Sequence, residues 1–125
     1  MNLNQITIPS LDLSTATEFY KKLGLILIVD ALPRYVRFEC PEGDSTFSIH
    51  KVEKLPIGDG TTIYFEVNNL SKTVSQLKEK GIIFKTEITE QPWLWSDVNL
   101  EDPDGNHLII FNAGENRKNP PWRVS

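Results

Sequence analysis

The sequence has little of several residue types on which whole classes of protein depend. Cys40 is the only cysteine, so an internal disulfide is impossible and a reducing cytoplasm is the expected location. The formal net charge of −4 gives no basic footprint for nucleic acid. No apolar run approaches the roughly 18 residues that span a bilayer, and the first ten residues lack the basic and apolar regions of a secretion signal. These absences indicate a small cytoplasmic domain with neither membrane nor nucleic acid as a partner.

Familiar catalytic motifs are missing as well. The chain contains no Walker loop, no dinucleotide-binding glycine pattern, no CxxC pair and no recognisable Ser-His-Asp arrangement. Cys40 precedes Pro41 at a turn and has no local base, which favours a structural role over a nucleophilic one. A length of 125 residues, with 39% hydrophobic side chains, is typical of one globular domain with a real core.

An internal repeat, shifted by 57 residues, is the main feature that the sequence does contain. The stretch QITIPSLDLSTATEFYKKLGLIL from Gln5 aligns with TIYFEVNNLSKTVSQLKEKGIIF from Thr62. Each copy has an extended apolar segment, a helical pattern, and then a glycine, Gly24 or Gly81, of the kind that ends a helix. The repeat predicts two copies of one folding unit.

Both predicted helices begin with polar residues that can accept free backbone N–H groups. In the first copy the candidate N-cap is Asp12 or Ser14. In the second copy it is Asn69 or Ser71.

Three strand candidates follow each helix. They are residues 25–30, 35–40 and 46–52 in the first half and 82–88, 96–101 and 107–112 in the second half. Turn residues at 41–44 and 103–106 separate the last two strands of each half, and residues 53–60 form a linker. The sequence therefore predicts a single α+β domain of two βαβββ modules, about 3–52 and 61–112, with a tail at 113–125.

This order of segments resembles the vicinal oxygen chelate superfamily, which contains glyoxalase I, fosfomycin- and bleomycin-resistance proteins and extradiol dioxygenases. The resemblance rests on ITIPSLDLSTATEFYKKLGL, IYFEVNNLSKTVSQLKEKGI and DPDGNHLIIF, in this order over nearly the whole chain. It implies a cup-shaped mixed sheet with flanking helices that holds a small-molecule ligand, and a homodimer. The tail segment GENRKNPPWR resembles that of uncharacterised bacterial glyoxalase-like proteins.

Metal-dependent members of the superfamily take ligands from the first and last strands of each module. The resemblance places Gln5, Thr62 and Ser48 at three of these positions, with His50 on the same strand face as Ser48. It places Ile109 at the fourth position, where a glutamate is expected. The expected cofactor is therefore none, or a weakly held divalent ion (Zn, Ni, Mn or Fe) bound by Gln5 and His50.

The other candidate site residues lie on strands and loops that would line such a cup. An imidazole suits proton transfer near neutral pH, so His50 is a candidate catalytic residue, and Glu39 is an acid–base candidate if it points inward. Candidate ligand-binding residues combine aromatic area with one cation for a carboxylate or phosphate; they are Trp93, Trp95, Tyr64, Phe38 and Arg37. Core packing, or a solvated strand face, is an alternative role for each of them.

Three functions are compatible with this sequence. The first is a binding module like the bleomycin-resistance proteins, which needs no metal and is favoured by Ile109 and Thr62. The second is a metal-dependent lyase or isomerase of the glyoxalase I type that uses Gln5 and His50. The third is a scaffold that acts only through protein contacts.

Overall fold

The computed structural model describes residues 1–124 and contains two compact units. The first unit comprises Met1–Gly60 together with Asp102–Asp104. The second unit comprises Thr61–Glu101 and the described residues from Gly105 onwards. The predicted tail ends at Ser125, which lies outside the described residues.

The first unit is a four-stranded mixed sheet with one helix. Along the chain it contains β1 (Gln5–Ser10), α1 (Leu13–Leu23), β2 (Ile26–Ala31), β3 (Tyr35–Glu39) and β4 (Thr46–Lys51). The strand order is β1-β4-β3-β2, in which β1 runs parallel to β4 and the other neighbours are antiparallel. This is the predicted βαβββ module.

The second unit repeats this arrangement. It contains β5 (Thr62–Glu66), α2 (Leu70–Glu79), β6 (Thr89–Glu90), β7 (Ser96–Glu101) and β8 (His107–Asn112), followed by a 3₁₀ helix at Gly114–Arg117. The strand order is β5-β8-β7-β6, with β5 parallel to β8. The predicted α+β class and the two βαβββ modules are therefore confirmed. No helix in the described part of the chain is long and apolar enough to cross a membrane.

The two helices begin with the same contact at equivalent positions of the repeat. The Asp12 side chain accepts the backbone N–H of Thr15 at 3.2 Å, and the Asn69 side chain accepts that of Lys72 at 3.1 Å. Asp12 and Asn69 are thus the N-caps, rather than Ser14 and Ser71. Gly24 follows α1 with φ of 111°, a left-handed conformation that glycine adopts without a steric cost.

Replacing Asn69 by alanine is expected to lower the free energy of unfolding by about 0.5–2 kcal/mol, because the first turn of α2 loses a side-chain acceptor. Thermal and urea unfolding monitored by circular dichroism would measure the change. The control is Asn69→Asp, which keeps an oxygen acceptor and should stay close to the parent protein. Equal losses in both variants would contradict the capping role.

One predicted strand, residues 82–88, is wrong. This segment is irregular, and only Thr89–Glu90 after it pairs with β7. Lys85 does donate its backbone N–H to Asn99 O at 2.8 Å, but the next contact joins Asn99 N–H to the Thr86 hydroxyl at 3.0 Å. The side-chain oxygen replaces the backbone carbonyl that a strand ladder needs, so the pairing does not continue.

Each sheet buries one face against its helix. In the first unit, Tyr20 of α1 packs on Phe38 and Phe47, with ring centroids 6.1 and 4.8 Å apart. In the second unit, the buried residues of α2 are Leu70, Val74 and Leu77. Every second residue of β7 and β8 is buried on one face of the sheet; these residues are Val98, Leu100, Leu108 and Ile110. The alternation turns the neighbouring residues toward the face of each sheet that points away from the helix of its own unit.

The predicted turn at 103–106 has an additional role inside the first unit. Its flanking residue Asp102 is buried and accepts the Tyr20 hydroxyl at 2.6 Å and the Asp104 backbone N–H at 2.9 Å. Asp104 in turn accepts the backbone N–H of Leu11 at 2.8 Å. Burial, and then the charge of Asp102, raise the pKa of Tyr20 far above its ordinary range, so the phenol stays neutral.

Candidate functional site

The face of the first sheet that points away from α1 is polar at its centre. The alternation that turns Phe38 and Phe47 toward the helix turns their neighbours to the other side. In the β3–β4 register, Tyr35 lies beside His50, Arg37 beside Ser48, and Glu39 beside Thr46. Three predicted site residues, Arg37, Glu39 and His50, therefore share this face.

Ser48 is the centre of a hydrogen-bonded chain on this face. Its side chain is fully buried, and Gln5 Nε2 donates to its Oγ at 2.7 Å. The Tyr35 hydroxyl lies 2.6 Å from the same Oγ, and Arg37 Nε donates to the Tyr35 hydroxyl at 2.9 Å. We call the connected side chains Gln5, Ser48, Tyr35 and Arg37 the polar chain.

The polar chain changes the acidity of Tyr35. Partial desolvation acts to raise the pKa of this phenol, but the hydrogen bonds with Ser48 and Arg37 and the Arg37 charge act against it. The net result is a pKa of Tyr35 below the ordinary value of a phenol. Arg37 Nε donates to this hydroxyl, and in the contact with Ser48 either hydroxyl can be the donor.

Gln5 and His50 are not brought together by the strand register. Gln5 lies opposite Thr46, whereas His50 lies opposite Pro9, four residues farther along β4. At about 3.3 Å per residue, the two positions are about 13 Å apart along the strands. The Gln5 amide also hydrogen-bonds Thr46 and Ser48, so both ends of this amide already have partners.

The corresponding face of the second sheet carries an aromatic cluster. The Trp95 ring stacks on Phe111 with centroids 4.6 Å apart and an interplanar angle of 19°. Tyr64 meets both rings edge-on, at 6.0 Å from Trp95 and 5.6 Å from Phe111. Trp95 is further fixed because its indole N–H donates to Asn116 O at 3.3 Å. We call Tyr64, Trp95 and Phe111 the aromatic cluster.

Trp93 belongs to the turn before this cluster. Leu94 has a positive φ of 68°, and its N–H donates to Gln91 O at 3.0 Å, which closes a tight turn. The segment is therefore not extended, and Trp93 and Trp95 do not alternate along one strand. Trp93 is 45% exposed and Leu94 49% exposed. The turn that precedes Trp95 in the sequence therefore has apolar side chains exposed to solvent.

For three other side chains, the structure disfavours a role in a site. Phe38 is fully buried against Tyr20, on the opposite side of β3 from Arg37. The Glu66 carboxylate accepts the Ala113 N–H at 3.2 Å and pairs with Arg117 at 3.3 Å. Partial burial raises the pKa of the Cys40 thiol, which disfavours the reactive thiolate.

The residues at the metal-ligand positions of the superfamily do not fit a divalent ion. The first unit supplies a Gln5 amide that is bonded to Ser48. The second supplies a Thr62 hydroxyl, while Ile109 lies beside Tyr64 in the strand register and has no donor atom. Among residues 1–124, no group of three or more His, Cys, Asp or Glu side chains could hold a metal ion. Neutral hydroxyls and a single amide lack the charged or imidazole donors that Zn, Ni, Mn or Fe require.

Comparison with known proteins identifies the family. Residues 2–110 match the Glyoxalase/Bleomycin resistance protein/Dioxygenase superfamily, and the chain belongs to this superfamily. No curated protein matches the sequence.

Solved structures with the same fold carry the names of proteins with different functions. Lactoylglutathione lyase from Agrobacterium tumefaciens is 16% identical, with a TM-score of 0.74 over 89% of this chain and 92% of that chain. A superfamily member from Nocardioides is 21% identical, with a TM-score of 0.76 over 100% and 90% of the two chains. A bleomycin-binding protein complexed with bleomycin is 20% identical, with a TM-score of 0.72 over 90% of this chain and 98% of that chain. At these identities the likeness establishes the fold alone.

Sequence reasoning missed Tyr35, which links Ser48 to Arg37 within the polar chain, and Phe111, on which Trp95 stacks within the aromatic cluster. Strand alternation contained the signal for both, because Tyr35 is two residues before Arg37 and Phe111 two residues after Ile109. The missing information was which of the alternating residues face the helix.

Proposed function

We propose that this protein is a binding module for a small organic molecule and that binding requires no metal. The observation that carries the proposal is the aromatic cluster on the face of the second sheet that points away from α2. Binding sites for small molecules are mostly apolar and aromatic, with a few polar groups that fix orientation. The stacked pair of Trp95 and Phe111 and the edge-on Tyr64 supply a rigid flat surface of this kind.

The exposure of the cluster supports a binding role over core packing alone. Tyr64 is 50% exposed, whereas Phe111 behind the stack is 3% exposed. A buried ring thus supports rings that retain open area, and Ile109 adds an apolar side chain beside Tyr64 in the register. The ligand expected from this surface has a flat, apolar or aromatic part that stacks on Trp95.

The alternative, a metal-dependent lyase of the glyoxalase I type, needs Gln5 and His50 at one ion. The register separates these residues along the strands, and the side chains at the ligand positions do not suit such an ion. The bleomycin-resistance branch is the better analogy, and one solved neighbour is a bleomycin-binding protein. The homodimer and the predicted location in the cytoplasm stay predictions.

Replacing Trp95 by alanine is expected to weaken binding of 1-naphthol, a neutral aromatic probe, by about tenfold or more, because a central aromatic contact is lost. Titration followed through the indole N–H signals in ¹H–¹⁵N NMR spectra would measure the affinity. In the parent protein the Trp95 signal should shift most. The same titration with bleomycin tests the analogy with the binding proteins.

The matched control is Trp122→Ala, which removes a 57% exposed tryptophan of the tail and should leave the affinity unchanged. Unchanged binding in the Trp95→Ala variant would contradict the proposed site. Turnover of a methylglyoxal–thiol adduct that is lost on chelation would favour the lyase instead.

A further inference from the structure

We propose that the polar chain of the first unit is a receptor for a carboxylate, with Arg37 as the residue that binds it. The inference rests on the proposed function in one respect, because it names the chemical class of a small organic ligand. The surface concerned belongs to the first unit alone and shares no residue with the aromatic cluster.

The first observation is that Arg37 is oriented but not neutralised. Its Nε donates to the Tyr35 hydroxyl at 2.9 Å, and its guanidinium carbon lies 5.5 Å from the centroid of the Tyr35 ring. None of the ion pairs among residues 1–124 involves Arg37. An arginine with one edge fixed by a phenol keeps its two terminal nitrogens for a forked contact with a carboxylate.

The second observation is that the support behind Arg37 is buried. Ser48 is fully buried and bonds both the Tyr35 hydroxyl, at 2.6 Å, and Gln5 Nε2, at 2.7 Å. Rotation of Tyr35 would therefore break one of the two hydrogen bonds of a buried hydroxyl, which is unfavourable. Arg37 is thus held at the centre of the sheet face, and less of its side-chain entropy remains to be lost on binding.

The surrounding charge selects a monoanion. Glu39 lies two residues from Arg37 on the same strand face, and the chain has a net charge of −4. A dianion such as phosphate would meet one cation and a nearby carboxylate in an acidic protein, which is unfavourable. A carboxylate needs only one guanidinium and matches its planar fork.

The probe that tests this inference is benzoate, with benzamide as its neutral analogue and inorganic phosphate as the dianion. In ¹H–¹⁵N NMR titrations we expect benzoate to shift the Arg37 Nε–Hε signal and the amides of β3 and β4. Benzamide should leave the Arg37 signal in place. Arg37→Gln should weaken benzoate binding by about tenfold or more, because a charge-assisted contact is lost.

Two further variants separate orientation from charge. Tyr35→Phe keeps the charge of Arg37 but removes its fixed partner, so binding should weaken about three- to tenfold. Arg34→Gln removes an exposed arginine from the loop before β3 and should leave the affinity unchanged. Equal losses in Arg34→Gln and Arg37→Gln would overturn the assignment, since general charge would then explain binding.

The outcomes also separate this inference from the proposed function. If 1-naphthol shifts Trp95 while benzoate leaves Arg37 unaffected, the binding module stands and the carboxylate receptor is wrong. If phosphate binds Arg37 more tightly than benzoate, the choice of a monoanion is wrong. If neither probe binds, both proposals are wrong.

Discussion

Replacing Tyr20 by phenylalanine is expected to lower the free energy of unfolding by about 1–3 kcal/mol, although the change removes a single oxygen atom. The Tyr20 hydroxyl donates to Asp102 Oδ2 at 2.6 Å, and the Asp102 residue is only 6% exposed. Without this donor, a buried carboxylate loses one of its partners and water cannot fully replace it. Urea unfolding of the parent and variant proteins at pH 7 would measure the difference.

The matched control is Tyr64→Phe. Tyr64 is 50% exposed and its recorded contacts are ring contacts with Trp95 and Phe111. Removing an exposed hydroxyl of this kind should change the free energy of unfolding by about 0.5 kcal/mol or less. Similar losses of unfolding free energy in the two variants would show that the Tyr20–Asp102 hydrogen bond stabilises the protein no more than an exposed hydroxyl does.

The same hydrogen bond gives a signature at alkaline pH. The folded-state pKa of Tyr20 is raised far above its ordinary value, so above about pH 10 the unfolded chain releases a proton that the folded chain keeps. The stabilising contribution is complete below that pH and is lost as the pH rises further. The difference in stability between the parent protein and Tyr20→Phe should therefore shrink above about pH 10, and a constant difference would contradict the assignment.

Much of the fold could be predicted from the sequence because its signals are local. The helix caps, Gly24 and the turn at 103–106 are short-range features, and they recur in both halves of the repeat. The strand prediction for residues 82–88 was wrong because the side chain of Thr86 replaces a backbone acceptor there. Such a substitution depends on the neighbouring strand β7, which local patterning does not reveal.

The candidate site was only partly predictable for a related reason. The residue types alone indicated Arg37 and Trp95 as site residues. The sequence did not show which side chains face the helix, and this decides that Phe38 lies in the core and that Tyr35 contacts Arg37. That Ile109 stands where the resemblance to the superfamily places a glutamate was visible in the sequence. The aromatic stack that lies next to this position was not, because it joins residues from β8 and from the turn before β7.

Replacing Phe111 by alanine should destabilise the protein by about 3–5 kcal/mol, the largest effect expected from a single change here. Phe111 is 3% exposed and contacts both other rings of the aromatic cluster. Alanine would leave a cavity under Trp95, whereas Phe111→Leu keeps most of the volume and should cost about 1.5 kcal/mol or less. Urea unfolding would rank the three proteins.

The environment of Trp95 distinguishes a local effect from a general loss of stability. If Phe111 holds the ring that the ligand stacks on, then Phe111→Leu should alter the near-ultraviolet circular dichroism of Trp95 and weaken 1-naphthol binding. The matched control is Phe47→Leu, since Phe47 is equally buried but packs on Tyr20 in the first unit. That variant should lose comparable stability and keep both the Trp95 signal and the affinity. If both leucine variants weaken binding equally, the aromatic cluster is not a preformed binding surface. A preformed surface differs from ordinary core packing because its rigidity depends on Phe111 in particular.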